Sequence, residues 1–124
     1  MAKYVLLVLA NAVPGKEEEF NRWYSDQHLS DVLKVPGIIS AQRFKYAAPA
    51  GATIEGPHPE PAHKFIAVYE IDSDDPVAVQ ADMISRIGTD RMIMTDAMDF
   101  AKSFGAYFAP ITDKRPGTPA AGAR

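Results

Sequence analysis

The sequence predicts an α+β fold with the element order β-α-β-β-α-β. Four short segments rich in apolar, β-branched and aromatic residues have the alternation that is typical of strands. Two segments between them carry the capping residues and the apolar spacing of amphipathic helices. Stretches rich in proline and glycine separate the two halves of the chain and follow the last strand.

Each predicted element follows from a local pattern. The first strand is apolar on both faces, which is typical of a central strand covered on both sides. The first helix starts with three glutamates, in the turn where the helix dipole favours negative charge. Asp75 and Pro76 combine an N-cap with a first-turn proline and start the second helix. The predicted elements are strands at 3–10, 38–46, 63–71 and 99–110, helices from 15 to about 28 and from 75 to about 88, and a short turn at 32–34 capped by Ser30 and Asp31.

Alternation and helical spacing also assign side chains to faces. The side chains predicted to share one strand face are Ile38, Ser40, Gln42, Phe44 and Tyr46 in the second strand, and Phe100, Phe104, Ala106 and Phe108 in the fourth. The predicted core stripe of the second helix is Val77, Ala81, Ile84 and Ile87. Residues 89–98 fit either a short helix or a loop.

The order of the elements is that of the ferredoxin-like topology, a four-stranded antiparallel sheet with two helices on one face. We therefore expect one such domain at residues 1–110, with a loop rich in proline and glycine at 47–62, and a flexible tail at 111–124. The helices cover one face of the sheet, but the first strand is apolar on both faces, and the third and fourth strands are nearly so. A second copy packed face to face would cover the other face, which predicts a homodimer; the alternative is a monomer whose tail folds over the sheet.

The composition excludes several classes of function. The chain has no cysteine, which removes disulfides, thiolate metal sites and cysteine nucleophiles. Its net charge of −3 offers no basic surface, so we expect no nucleic-acid partner. No apolar run reaches the roughly 20 residues of a membrane span. The apolar run after Lys3 imitates a signal peptide, but cleavage after Ala12 would release fewer than the usual minimum of about 15 residues. We therefore expect a cytoplasmic protein.

The first helix carries the residues best suited to chemistry. Phe20, Tyr24 and His28 form a stripe at i, i+4 and i+8, and Trp23 lies beside it. Asp31 could accept a hydrogen bond from the imidazole and raise its pKa, while burial would lower it. These opposing effects would leave the histidine titrating near neutrality, which suits general acid or base catalysis.

The aromatic neighbours suit the same site. Tyr24 would donate a hydrogen bond to a developing oxyanion, and Trp23 and Phe20 would form the wall for a flat apolar ligand. The same stripe also fits an ordinary helix core with a structural histidine, and the spacing alone leaves both interpretations open.

The segment VPGKEEEFNRWYSDQHLSDVLKVPGIISAQRF resembles the first half of EthD-like members of the dimeric α/β-barrel superfamily. The similarity lies in the P-G-x-x-x-x-F helix start, the W-Y-x-x-x-H helix end, the V-P-G turn and a strand carrying R-F. FIAVYEID and DRMIMTDAMDF fit the second half, so the resemblance covers roughly residues 3–108. It implies this fold, a homodimer and a small ligand held between helices and sheet. It also implies that His28 is the family's helix histidine and Arg43 its strand-two arginine.

The residues and the resemblance together predict a small enzyme without a cofactor. It would act on an aromatic or polyketide-like molecule by acid/base chemistry, namely dehydration, decarboxylation, isomerisation or cyclisation. The expected roles are His28 as acid/base, Asp31 as its orienter, Tyr24 as hydrogen-bond donor, and Phe20, Trp23 and Arg43 in substrate binding. The alternatives are a non-catalytic protein that binds a small ligand and a cofactor-free monooxygenase.

Arginine, histidine and methionine residues elsewhere in the chain allow further hypotheses about binding sites. Arg43 could hold a substrate carboxylate in a bidentate fork, or form a structural ion pair with Asp31 or Glu70. His58 and His63 lie in a loop without carboxylates at ligand spacing, so no metal site is expected. Some members of the superfamily bind haem, but we expect none on His28. Four of the five methionines lie at 83–98 and are expected to be adaptable packing.

Overall fold

The structure is a computed structural model that describes residues 3–47 and 61–122. Most of the predicted loop at 47–62, including His58, therefore lies outside the described residues. The described part contains a four-stranded antiparallel sheet in the order β2-β3-β1-β4. This strand order is that of the predicted ferredoxin-like topology, which is confirmed.

The helices and strands lie close to their predicted positions. They are β1 (Lys3–Ala10), α1 (Glu17–Trp23), a π turn (Tyr24–His28), α2 (Leu29–Leu33), β2 (Ile38–Lys45), β3 (Phe65–Asp72), α3 (Pro76–Arg86), a 3₁₀ turn (Phe100–Lys102) and β4 (Phe104–Phe108). As predicted, the side chain of Asp75 caps α3 by accepting the N–H of Ala78 at 3.0 Å, and Pro76 occupies the first turn.

The first helix is longer than predicted. α1, the π turn and α2 follow one another without a break and form one helix over residues 17–33, called the long helix below. The predicted end near His28 is wrong, because His28 has helical backbone angles. The predicted cap at Ser30 and Asp31 is also wrong, since both residues lie inside α2. Pro36, which lacks an N–H, follows the end of the helix.

The core lies between the helices and one face of the sheet. Its fully buried large side chains include Phe20, Tyr24, Val32, Tyr69 and Ile71. The opposite face of the sheet, called the open face, is largely apolar as well. By strand register its apolar side chains are Val5, Leu7, Leu9, Phe44, Ile66, Val68, Phe104, Ala106 and Phe108, and Ser40, Gln42 and Glu70 share this face. The described tail does not cover them, because every residue from Ala109 to Gly122 is exposed.

A β-bulge in β2 changes which side chains share a face. The pairing with β3 skips Ile39 between Ile38 and Ser40. Ile38 is thereby turned towards the helices and is 5% exposed, whereas Ile39 is 53% exposed. The prediction that Ile38 shares a face with Ser40 is therefore wrong, since one inserted residue reverses the side of every residue before it. Beyond the bulge the alternation holds, and Arg43 faces the helices.

The second half also departs from the predicted faces. Phe100 belongs to the 3₁₀ turn and not to β4, because the side chain of Asp99 accepts the N–H of Lys102 and bends the chain before the strand. The predicted core stripe of α3 is wrong, since Val77 is 73% and Ile84 56% exposed. Val79 is the residue of α3 that is buried. Residues 89–98 form turns and not a helix, and Met98 forms an isolated β-bridge with Ala12.

Gly37 is the tightest point of this arrangement. Its φ is +99°, and a Cβ there would lie 2.8 Å from Cγ2 of Val79. Gly37→Ala is therefore expected to lower the free energy of unfolding by about 1–3 kcal/mol, measured by urea denaturation, because backbone strain and overpacking add. Gly88→Ala is the matched control, since its φ is +79° but nothing lies within 4 Å of its Cβ position. Equal losses in the two variants would contradict a contribution from the contact with Val79.

Candidate functional site

The π turn decides which side chains of the long helix meet. In an α-helix, residues five apart point about 140° away from each other. In the π turn the N–H of Leu29 bonds to the carbonyl of Tyr24, and residues five apart come round to the same side. The imidazole of His28 therefore stacks on the indole of Trp23, with ring centroids 4.5 Å apart and planes at 21°. It also meets the ring of Tyr24 edge to face at 4.8 Å.

This aromatic group borders an apolar cavity between the helices and the sheet. The cavity has a volume of about 240 Å³. Its walls include Leu6, Val8 and Tyr69 of the sheet, Tyr24 and His28 of the long helix, and the methionines at 83, 92, 94 and 98. The described lining residues include no Asp, Glu, Lys or Arg. Among them, His28 is the side chain that can take up a positive charge by binding a proton.

Two phenols of the cavity lining are hydrogen-bonded to each other. The hydroxyl of Tyr69 donates a hydrogen bond to the hydroxyl of Tyr24 at 3.0 Å. Both residues are buried, with 1% and 2% of their surface exposed. Burial raises the pKa of each phenol, so both are protonated at neutral pH and can act as hydrogen-bond donors.

The ionisation of His28 differs from the prediction. Burial lowers the pKa of His28 to about 4; the carboxylate of Asp31 raises it but is outweighed, and Arg43 lowers it further. The predicted titration near neutrality is therefore wrong, because desolvation exceeds the effect of the nearby carboxylate. At neutral pH the imidazole is uncharged, and it can accept a proton but not act as a general acid. Nδ1 is buried without a hydrogen-bond partner in the described residues.

Asp31 is hydrogen-bonded to the chain segment around Ile93 and not to the imidazole of His28. Its Oδ2 accepts the N–H of Ile93 at 3.2 Å and a hydrogen bond from Gln27 at 2.9 Å. The indole N–H of Trp23 donates to the carbonyl of Ile93 at 2.8 Å. The long helix thus fixes both backbone groups of Ile93, and the residues on either side of it, Met92 and Met94, line the cavity. The predicted hydrogen bond from His28 to Asp31 is absent, so Asp31 acts on the imidazole by its charge alone.

The three predicted substrate-binding residues lie outside the cavity lining. Phe20 has no exposed surface and packs on Phe65 at 5.3 Å between ring centroids, so it is a core residue and not a cavity wall. The indole of Trp23 stacks on the imidazole of His28 but does not itself line the cavity. Arg43 lines a separate polar cleft, where it donates to the side chain and carbonyl of Asn21 and to the hydroxyl of Ser25. It forms neither of the ion pairs that the sequence suggested.

The structure adds lining residues that sequence reasoning missed. Tyr69 lies on the inward face of β3, where the alternation of FIAVYEID predicts burial but gives no sign of the bond to Tyr24. The methionines were predicted to be packing, yet four of them line the cavity. Their clustering between Met83 and Met98 was the available signal, because thioether side chains adapt to ligands of different shapes.

The described residues contain neither a cluster of metal-ligating side chains nor a membrane-spanning helix. No group of three or more His, Asp or Glu in the described ranges could hold a metal ion. No helix within those ranges is long and apolar enough to cross a bilayer. His63 lies away from the cavity, with its Nε2 2.8 Å from the carbonyl of Lys102.

Solved structures share this architecture. The chain aligns with a candidate monooxygenase from Shewanella loihica at a TM-score of 0.56 and 19% identity, over 90% of this chain and 97% of that one. The chain shares the ferredoxin-like fold of such proteins. A DABB-family protein with a ferredoxin-like fold from Mesorhizobium loti gives 0.55 and 13%, over 90% and 100%. The haem degrader MhuD from Mycobacterium tuberculosis gives 0.54 and 13%, over 90% and 99%. No family model and no curated protein matches the sequence.

The similarity to MhuD raises the question of haem, because that protein holds two haems in its active site. The cavity of about 240 Å³ lies below the range of roughly 300–1,000 Å³ that is usual for pockets of drug-sized ligands. A porphyrin is larger than most such ligands. The cavity is therefore too small for a haem.

The lowered pKa of His28 predicts a dependence of stability on pH. Between pH 6.5 and about 4 the unfolded chain binds a proton on His28 that the folded chain excludes. The neutral imidazole therefore stabilises the fold fully above pH 6.5. This stabilisation is lost as the pH falls to about 4, which lowers the free energy of unfolding by about 3 kcal/mol. Urea denaturation across this range should show a shallower decline for His28→Gln than for His63→Gln. Identical profiles would contradict the burial of a neutral imidazole.

Proposed function

We propose that the protein is a small enzyme that binds a neutral aromatic or polyketide-like molecule in the cavity and removes a proton from it. The observation that carries the proposal is the uncharged imidazole of His28 in the wall of a largely apolar cavity, in edge-to-face contact with the ring of Tyr24. A perturbed pKa in a concave apolar site is a physical signature of function, although core histidines share it.

The cavity favours an uncharged ligand. None of its described lining residues carries a fixed charge. A carboxylate or ammonium group would lose its hydration there without a counter-ion, which is costly in an apolar environment. Of the four reactions that the sequence suggested, decarboxylation of a carboxylate substrate is therefore the least favoured. The four methionines suit a compact apolar body whose shape need not be matched rigidly.

The chemistry follows from the protonation states of the two side chains. With a pKa of about 4, the imidazole of His28 is a weak base, and a proton moves to it only when the resulting anion is stabilised. The hydroxyl of Tyr24 can donate a hydrogen bond to a ligand oxygen at which the negative charge develops. The imidazolium and the anion then attract each other strongly in a site of low dielectric. Such a proton removal is the first step of an isomerisation, dehydration or cyclisation.

A cofactor-free oxygenation is a second candidate. The same removal of a proton would leave an electron-rich anion that molecular oxygen can oxidise, and a protein similar in fold is a candidate monooxygenase. Oxygen consumption in the presence of a ligand separates this reaction from the others.

The proposal can be tested before the natural substrate is identified. 2-Tetralone is a neutral aromatic ketone with acidic C–H groups next to its carbonyl. We expect the protein in D₂O to accelerate the exchange of these hydrogens, followed by NMR. His28→Gln should lower this rate by about 10²–10⁴-fold, because the general base is lost. His63→Gln removes a histidine outside the cavity and should exchange at the wild-type rate.

The alternatives give different results. Quenching of the fluorescence of Trp23, the single tryptophan, without any exchange would favour a binding protein that does not catalyse proton transfer. Undiminished exchange in His28→Gln would contradict the role of His28. Below about pH 4 the wild-type rate should fall as the imidazole becomes protonated, and this limb should be absent in His28→Gln.

We also propose that the protein is a homodimer joined through the open face. This face carries exposed aromatic side chains, with Phe44 47% and Phe104 and Phe108 53% exposed. Contiguous apolar surface of this kind is typical of an interface. A twofold axis through the open face would bury the same residues on both copies.

Size-exclusion chromatography with light scattering tests the dimer. The wild type is expected near twice the chain mass of 13.5 kDa. Leu7→Lys places a charge at the centre of the open face and should shift the protein to 13.5 kDa. Val77→Lys is the matched control, because Val77 is an exposed apolar residue on α3, away from that face. A monomeric wild type would overturn the proposal.

A further inference from the structure

Two side chains contact Tyr24 that are not part of the proposed proton transfer. Tyr69 donates a hydrogen bond to its hydroxyl at 3.0 Å. Arg43 lies over its ring, with the guanidinium carbon 4.6 Å from the ring centroid. Arg43 is also within 6 Å of the rings of Phe20 and Phe65, at 5.4 and 5.7 Å. Tyr24 is therefore held between a hydrogen-bond donor and a cation.

The direction of the hydrogen bond leaves one proton free. Each phenol can donate one hydrogen bond. When Tyr69 donates to Tyr24, the proton of Tyr24 has no acceptor among the described residues and is available to a ligand in the cavity that both residues line. A hydroxyl that accepts a hydrogen bond becomes a better donor, because the bonds in such a chain polarise one another.

The charge of Arg43 also makes the hydroxyl of Tyr24 a better hydrogen-bond donor. Among the described residues, its guanidinium bonds to neutral groups of Asn21 and Ser25, and no carboxylate pairs with it. Its positive charge is therefore not neutralised by a carboxylate among those residues, and it favours negative charge on the phenol oxygen of Tyr24. Both Arg43 and the hydrogen bond from Tyr69 lower the pKa of Tyr24 against the rise caused by burial.

We propose that Tyr69 and Arg43 are positioning residues that act through Tyr24. Tyr69 directs the hydroxyl proton of Tyr24 into the cavity, and Arg43 increases the acidity of that hydroxyl, so that Tyr24 stabilises negative charge on a ligand oxygen. This role rests on the proposed function, and it replaces the expected contact of Arg43 with substrate. It also gives a role to an arginine that lies over an aromatic ring and has no carboxylate partner among the described residues.

The acidity of Tyr24 can be measured without any ligand. Global incorporation of 3-fluorotyrosine gives five ¹⁹F signals, one for each tyrosine in the chain, and lowers the phenol pKa values, so that the titration of Tyr24 begins at a lower pH. Tyr24→Phe identifies the signal of Tyr24. Tyr69→Phe is expected to raise the pKa of Tyr24 by about 1, and Arg43→Met by a similar amount. Arg43→Lys retains the charge and should restore part of the effect.

The control is Tyr4→Phe, which removes a hydroxyl from the helix-facing side of β1 outside the cavity lining. It should leave the pKa of Tyr24 unchanged. An unchanged or lowered pKa in Tyr69→Phe would overturn the proposal, and so would an unchanged pKa in a folded Arg43→Met. Tyr69→Phe keeps the test valid if Arg43→Met does not fold.

The test also separates this inference from the proposed function. If the pKa of Tyr24 rises in both variants but 2-tetralone exchanges no hydrogen, the positioning of Tyr24 stands and the proton transfer fails. If exchange depends on His28 but the pKa of Tyr24 does not change in either variant, the proton transfer stands and the positioning of Tyr24 fails. When both hold, Tyr69→Phe should slow exchange in the wild-type background and have no further effect in Tyr24→Phe.

Discussion

The stack of His28 on Trp23 is the contact on which the rest of the site depends. It exists because the long helix contains a π turn, which brings residues five apart to the same side. A regular α-helix would place Trp23 and His28 on different sides, and the indole could not stack on the imidazole that lines the cavity. The same turn leaves the indole N–H of Trp23 free to hold the carbonyl of Ile93, so the imidazole and the wall opposite it are positioned by one residue.

Burial then determines what the histidine can do. A carboxylate three residues away would ordinarily make His28 a stronger base, but Asp31 also bonds to Gln27 and to the backbone of Ile93. Desolvation by the apolar wall dominates, and the imidazole is neutral at physiological pH. A weak base of this kind depends on a partner that stabilises the product anion. The geometry around Tyr24, with Tyr69 as donor and Arg43 as cation, provides such a partner.

The sequence predicted the topology because its signals are local. The alternation of the strands, the cap at Asp75 and the turn before Gly37 each depend on a few neighbouring residues. The identities of His28 and Tyr24 as cavity residues also followed from helical spacing. The positions of Phe20, Arg43 and Asp31 relative to the cavity did not, because they depend on a π turn, a bulge at Ile39 and contacts between residues far apart in the chain. Propensities do not reveal an inserted residue in a helix or strand, and each insertion changes which side chains face inward.

The central claim is that His28 is a buried, neutral imidazole in contact with Trp23. Protonation of the imidazole should quench the fluorescence of the stacked indole, and Trp23 is the single tryptophan of the chain. A fluorescence titration of the folded protein is therefore the most direct test. The structure predicts a transition near pH 4 in the wild type that is absent in His28→Gln. A transition near 6.5, the ordinary pKa of histidine, would contradict the account, because it would place the imidazole in contact with water.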